Sequence, residues 1–591
     1  MDKRQWVNSV CDEVEKHVGT AKTRQAYCAI KQLRGKFEAR HGSVNDKDGK
    51  LITDRNKVMK RWTEYVKDLF TDNNRYEKST LEELKRRTLP QEVTEVDDGI
   101  LREEVEKAIK KLKNNKSTGP DGIPAELIKA GGNQVIEEVH RICEDIWNTG
   151  RWPQDWCKST LIMLPKKGNK KECANYRSIA LIPHICKIML NIVQERMSGA
   201  LEEHMSEEQG GFRKDRSTVQ QILTLRLLAE KAMDKGKNLY NCFVDFRKAF
   251  DSVWHEGLWA ILQRMGVSAK LVQVVQGLYQ QSEMAVKIDG VLGEWIKPTI
   301  GSRQGDPTSP RLFLAELEQV MEKVECSDVG GINVNGQTVK DLRFADDIDL
   351  LAMNEEEMQE EMNELYESSE RFGLHINEGK TKAMVIGKNK DKMEIKINGQ
   401  EIECVDKFVY VGSLITNDNS CSQEVKRRIA IAGEAFGSLN EIWKSKNVSR
   451  RSKMKVFNSC VVSTLLYGCE TWTLRKIDTE KLDAFERKCF RKMLGISWMD
   501  KVRNEEVESR IGQVKKASQK VKERKLSMFG HICRMQDNRL IKLVMMGDMY
   551  GTRKRGRPHR KWLDDIREWC GSTVQEAINM ARERRHPFGK R

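Results

Sequence analysis

Nowhere in its 591 residues does the chain string together about 18 apolar residues, so neither a membrane-spanning helix nor a membrane partner is expected. The opening stretch MDKRQWVNSVCDEVEKHV lacks the apolar core of a secretory signal. Of the 15 cysteines, no two are spaced as CxxC and none fall in a dense framework. That argues against a zinc site or a disulfide scaffold, and for reduced thiols in a cytosolic or nuclear protein. Internal repeats and long low-complexity segments are also missing, which excludes a solenoid.

What is abundant is positive charge. The net charge is +16 and the pI near 9.0, so the natural partner is a polyanion, with an anionic membrane surface as the rival. The charge is unevenly placed: residues 501–591 hold 24 Lys and Arg against 11 Asp and Glu, a net +13. The densest stretch, GTRKRGRPHRKW (551–562), contains Gly and Pro that prevent a regular helix. Its Arg553, Lys554, Arg555, Arg557, Arg560 and Lys561 are candidates for phosphate contacts driven by counterion release.

Length suggests roughly three or four domains. Residues 1–95 are polar and helical in pattern, with a hairpin expected at Asp48-Gly49; TLPQEVTEVDDG (88–99) reads as a linker. From 100 to about 235 helices alternate with short strands: EEVEKAIKKLK, the strand-like STLIMLPK (159–166) and the helical ICKIMLNIVQERM (185–197). From 236 to 415 strands and hairpins take over, with NLYNCFVDF (238–246) as an apolar strand and tight turns at Asp289-Gly290, Asn335-Gly336 and Asn398-Gly399. Ser309-Pro310 is expected to cap one helix and Asn354 a second, acidic one ending near Gly373. Antiparallel strands backed by two or three helices make an α+β unit, and beyond 420 the chain reads as helical.

One stretch stands out. RFADDIDLLA (343–352) sets two adjacent carboxylates, Asp346 and Asp347, at the tip of a strand–turn–strand, although Asp is depleted from strands. Adjacent Asp residues also suit an ordinary solvated turn. About a hundred residues earlier Asp245 ends another apolar strand, and if the two strands pair, the acids converge at one edge. Like charges so placed need a cation. Mg²⁺ prefers a few carboxylates plus substrate phosphates, and two such ions about 4 Å apart activate a hydroxyl and stabilise a leaving pyrophosphate.

In collinear order, FVDFRKAFDSV (243–253), GSRQGDPTSP (301–310) and RFADD resemble three palm motifs of reverse transcriptases, most closely those of non-LTR (LINE-type) retrotransposons. KSTGPDGIPAELIKAGG (116–132), LPKKGNKKECANYRSIALI (164–182) and QGGFRKDRST (209–218) resemble the family's finger motifs and GFR-x-GRST loop. FGLHINEGKTKAM (372–384) and FVYVGSLI (408–415) resemble the last palm motif and primer grip, and LLYGCETWTL (465–474) and GHICRMQDNRL…RGRPHRKWLDDI (530–566) the thumb and C-terminal tail.

The resemblance implies a right-hand polymerase with an N-terminal segment (1–95), fingers (96–235), palm (236–418), helical thumb (419–500) and basic C-terminal extension (501–591). Its implied activity is RNA-directed DNA synthesis from an RNA template, a DNA primer and deoxynucleoside triphosphates. Asp245, Asp346 and Asp347 would bind two Mg²⁺ ions, with Mn²⁺ able to substitute, and Asp251 would be structural. Lys166 and Arg177 would grip the triphosphate, Phe250 would exclude a ribose 2′-hydroxyl, and Gln304-Gly305 would approach the nucleotide or template. Lys380 or Lys382 would protonate the leaving pyrophosphate. Tyr410, Val411 and Gly412 would hold the primer end. Asp215, Gln220, Ser302 and Thr308 depart from the family's usual residues. The family's endonuclease, an RNase H constellation and a Cys/His knuckle are not evident, so a separate endonuclease activity is expected for integration. The alternative is an inactive or domesticated remnant that only binds RNA or DNA.

Overall fold

A strand buried on both sides needs a packed layer over each face, and Leu239–Val244 is such a strand, with only Tyr240 less than fully buried. In the computed structural model, which describes residues 3–19, 23–33, 42–72, 76–87, 98–166, 168–387, 393–512, 514–553 and 559–583, it sits inside a four-stranded antiparallel sheet. The order is Asp341–Phe344, Asp347–Ala352, Leu239–Val244, Lys382–Ile386. Side chains alternate between faces. Cys242, Val244, Ile348, Leu350 and Ala383 enter a core shared with helices Ser309–Cys326 and Glu355–Arg371. Leu239, Phe243, Leu342, Leu351 and Met384 enter another, shared with helix Thr218–Asp234 and the C-terminal helices Ala517–Cys533 and Leu540–Met546. The α+β class is as expected.

A second sheet carries the finger hairpin. Lys158–Pro165 pairs antiparallel with Tyr176–Leu181 and parallel with Glu283–Ile288. The four Asp-Gly and Asn-Gly turns all form, and at Asp289-Gly290, Asn335-Gly336 and Asn398-Gly399 both central residues have positive φ. Asn354 caps its helix by accepting a hydrogen bond from the Glu357 amide. Ser309 does not cap: Thr308 precedes the helix, and the Ser309 hydroxyl instead donates to the Arg303 carbonyl at 3.0 Å. The first free amides of the helix, those of Arg311 and Leu312, donate to the Thr308 carbonyl at 3.0 and 3.1 Å, and Thr308 itself is held by the Asp306 carboxylate, which accepts from its amide and hydroxyl. Most of the 88–99 linker lies outside the described residues.

Helices Lys3–Gly19 and Thr23–Leu33 bury Val10, Cys11, Val14 and Ile30 against the helical core of residues 421–521, whereas Val44, Val58 and Trp62 join the finger–palm core. No helix among the described residues is long and apolar enough to cross a membrane.

The C-terminal helices are fastened by charge inside the core. Lys525 and Asp565, both fully buried, form an ion pair of 2.5 Å. Lys525 also donates to the Trp472 carbonyl at 2.8 Å and lies 4.7 Å from the centre of the Trp562 ring, while Asp565 accepts from Arg560. Replacing Asp565 by Ala leaves a buried ammonium without its counter-charge, so a loss of about 3–5 kcal/mol is expected in urea unfolding; a loss below about 1 kcal/mol would show that Lys525 finds another partner or water.

Candidate active site

Register brings the acids together. Ile348 pairs with Val244, so one further step along both strands sets Asp347 opposite Asp245. Asp346 occupies the turn before it, where Ala345 adopts a left-handed φ of 60°. Burial raises the pKa of Asp346, and the charge of Asp245 adds to the rise while Arg177 and Lys166 oppose it. Asp347 reaches solvent but is walled by protein; burial, then the charges of Asp346 and Asp245, push it up to about 6. Among the described residues no three His, Cys, Asp or Glu side chains close into a ready-made metal cage. Carboxylates on one edge, electrostatically strained and open on one side, suit a hard divalent cation that keeps water and substrate phosphates among its ligands.

The 209–218 loop holds this turn from behind. The Gln209 side-chain oxygen accepts from the amides of Ala345 at 2.9 Å and Gly211 at 2.7 Å, and the Gly210 amide donates to the Arg343 carbonyl at 2.7 Å. A Cβ on Gly211 would lie 2.2 Å from the Ala345 nitrogen, so only glycine permits the approach. Arg343, fully buried, pairs with Asp341 at 2.8 Å, Glu318 at 3.3 Å and Glu325. Asp349, the third acid of RFADDIDLLA, is also fully buried, and burial holds its carboxyl well above the usual range. Composition alone does not separate it from Asp346 and Asp347; only its inward place in the strand does.

The residues that depart from the family pattern have partners here. Asp215 sits at a φ of 58°, a left-handed conformation that Asp tolerates. Its carbonyl accepts from Gln220 at 3.1 Å and from Arg539 at 3.0 Å. The Ser302 hydroxyl and amide both donate to the Phe250 carbonyl, at 2.9 and 2.7 Å, and Thr308 is bonded to Asp306.

Lys166 and Arg177 stand exposed at the tip of the finger hairpin, close enough for their charges to act on both Asp346 and Asp251. Asp251 is buried, which pushes it up to about 6. Phe250 stacks on Phe313 with ring centres 4.5 Å apart and meets Phe212 edge-on at 6.1 Å. Gly305 does make a close approach, but to the fingers: a Cβ there would lie 2.5 Å from the Ala180 carbonyl oxygen, and the Gln304 carbonyl accepts from the Ala180 amide at 2.7 Å. This pair therefore docks the palm turn on the finger strand.

A cavity of about 610 Å³ runs from Asp245 and Asp347 past Lys380 and Lys382 to Val411 and Gly412. Lys380 lies 3.2 Å from the Asp245 carboxylate, whereas Lys382 pairs with Glu403 at 3.0 Å and donates to the Gly379 carbonyl at 2.7 Å. Tyr410 also lines this cavity, with its side chain buried, its hydroxyl donating to the Leu342 carbonyl at 3.3 Å and its ring tilted against Phe243. The turn residues Val411 and Gly412 remain at the cavity. In the basic stretch, Arg553 and Lys561 pair with Asp234, and Arg560 pairs with Asp565 and Glu568. Lys554, Arg555 and Arg557 lie outside the described residues.

Residues 164–415 match the family model described as reverse transcriptase (RNA-dependent DNA polymerase), and residues 435–467 match a domain of unknown function. The RNA-directed DNA polymerase from mobile element jockey of Drosophila funebris is 23% identical over 71% of this chain and 46% of its own length. The Pol polyprotein from type-1 retrotransposable element R2 of Nasonia vitripennis is 25% identical over 55% of this chain and 32% of its own length. A transposon-derived protein of Caenorhabditis elegans is 29% identical over 40% of this chain and 87% of its own length. The chain spans less than half of the jockey and R2 proteins. Residues 164–415, which contain every acid of the sheet edge and the finger tip facing it, form a reverse transcriptase domain, and the chain around it is similar to polymerase proteins of the mobile elements jockey and R2.

Proposed function

We propose that the chain extends a DNA 3′ end on an RNA template, consuming deoxynucleoside triphosphates. The observation that carries this reading is the register that sets Asp347 opposite Asp245, with Asp346 beside them and the charges of Lys166 and Arg177 acting across the cleft. Asp245, Asp346 and Asp347 would hold Mg²⁺, which when bound neutralises the triphosphate and acidifies the attacking hydroxyl. The remaining work falls to the chain's own side chains. Lys166 as a point charge and Arg177 as a fork bind the triphosphate oxygens. Phe250, braced by Phe313, closes the space a ribose 2′-hydroxyl would need. Lys380, next to Asp245, is the better placed of the two lysines to give a proton to the departing pyrophosphate, because Lys382 is engaged with Glu403. The basic C-terminal stretch would follow the nucleic-acid backbone, although Arg553, Arg560 and Lys561 within it also have carboxylate partners.

Primer extension on poly-rA/oligo-dT with Mg²⁺ tests the reading. The parent should incorporate dTTP, and Asp346→Ala/Asp347→Ala should lose at least about 1,000-fold, several kcal/mol of charge stabilisation. A folded, RNA-binding parent that incorporates nothing would point to the remnant that only binds nucleic acid. In the same assay Phe250→Ala should raise ribonucleotide incorporation relative to deoxynucleotide by about 10-fold or more; an unchanged ratio would reduce Phe250 to core packing.

The carboxyl shift sets a pH signature. Asp347 rises from 3.8 to about 6, so between these values the folded protein without metal binds more protons than the unfolded chain, and its stability falls as pH rises through that window. Metal binding needs the carboxylates ionised. Mg²⁺ should therefore raise Tm more at about pH 7.5 than at about pH 5.5, and not at all in the double Ala variant; an equal shift at both pH values would place the ion elsewhere.

A further inference from the structure

A two-stranded ribbon has little stability of its own, so a functional turn at its end must be positioned from outside. The ribbon Lys407–Tyr410 and Ser413–Thr416 ends in a two-residue turn, with Val411 at a φ of 35° and Gly412 at 90°. Its carbonyls are gripped one after another. The Tyr467 hydroxyl donates to Val411 O at 2.8 Å. Arg427 donates to Gly412 O at 3.3 Å, and Arg428 donates to the same oxygen. Arg226 donates to Leu414 O at 2.8 Å. Glu424, fully buried near the start of helix Ser422–Gly437, aligns the two arginines at 3.1 and 2.6 Å and accepts from the Leu414 amide at 3.0 Å. The Arg428 guanidinium lies 4.6 Å from the centre of the Tyr467 ring, so the two grips brace each other.

The same tyrosine reaches the catalytic side. Its hydroxyl is 3.1 Å from Thr218 Oγ1, the residue that ends the 209–218 loop, and Gln209 of that loop holds the Ala345 amide beside Asp346. Direct contacts thus run from the turn at Val411 through Tyr467 and Thr218 to the loop that supports the acids.

We infer that Glu424, Arg428 and Tyr467 are positioning residues for the primer 3′ end: they set the Val411–Gly412 turn at a fixed distance from the aspartates. This rests on the polymerase reading above, with that turn as the primer contact. None of the three lines the cavity, so none is expected to touch nucleotide.

Tyr467→Phe removes the hydroxyl but keeps the ring under Arg428, and Arg428→Lys keeps charge but loses the fork. Each should raise KM for primer–template by about 3- to 10-fold, one to two hydrogen bonds' worth, while KM for dNTP and Tm hold within about twofold and a few degrees. In parallel, hydrogen exchange of the 408–416 amides, read by mass spectrometry, should quicken in both variants without quickening in the Leu239–Val244 strand. Faster exchange with an unchanged primer KM would keep the positioning but remove the turn from primer binding, overturning the inference. Unchanged exchange in both variants would overturn the positioning itself. If the parent extends no primer, the polymerase reading falls by that result, and the exchange data alone decide whether these side chains hold the turn.

Discussion

The antiparallel register between Leu239–Val244 and Asp347–Ala352 is the constraint on which the rest depends. A slip of one residue would turn Ile348 and Leu350 away from their helices and carry the acids off the shared edge. The register is protected because both faces are buried. One lies under the helices that follow Thr308 and Asn354, the other under the helix that follows Ser217 and the C-terminal helices. Packing that has nothing to do with chemistry therefore decides where Asp245 and Asp347 meet.

Two kinds of acid share these strands, and their surroundings separate them. Asp341 is neutralised in the core by Arg343, whose guanidinium also meets Glu318 and Glu325. Asp346 and Asp347 lie beside Asp245, which Lys380 contacts, and the charges of Arg177 and Lys166 act on Asp346. Burial plus like charge makes that edge unfavourable when fully ionised. A divalent cation at this edge would relieve that cost.

Elements with local signals were legible in the chain: the four Asp-Gly and Asn-Gly hairpins, the Asn354 cap and the apolar strand before Asp245 all formed where read. Convergence of Asp245 with Asp346 and Asp347 was legible because it follows from pairing alone. What periodicity could not show was which side a non-local neighbour would take. Tyr410 in FVYVGSLI looks like a contact residue, yet an alternating strand sends it into the core against Phe243. Gly305 looks like room for a ligand, and its room is filled by Ala180. The Ser309-Pro310 signal did not yield a side-chain cap because the Ser309 hydroxyl donates to the non-local Arg303 carbonyl. The Gly-Gly pair at 210–211 was the one available hint that the 209–218 loop presses on another backbone, without naming Ala345 as the other side.

The basic C-terminal stretch changes meaning once packed. Lys525 lies fully buried on Asp565, Arg560 caps the same carboxylate, and Lys561 and Arg553 converge on Asp234 of the helix beneath the palm. Part of the net +13 thus holds this segment onto the sheet, and only the remainder can meet phosphate. The same contacts place Trp562 and Phe529 in the core that also contains Tyr410. A segment that reads as an appended nucleic-acid tail is, through those side chains, part of the layer that keeps the Asp-bearing strands in register.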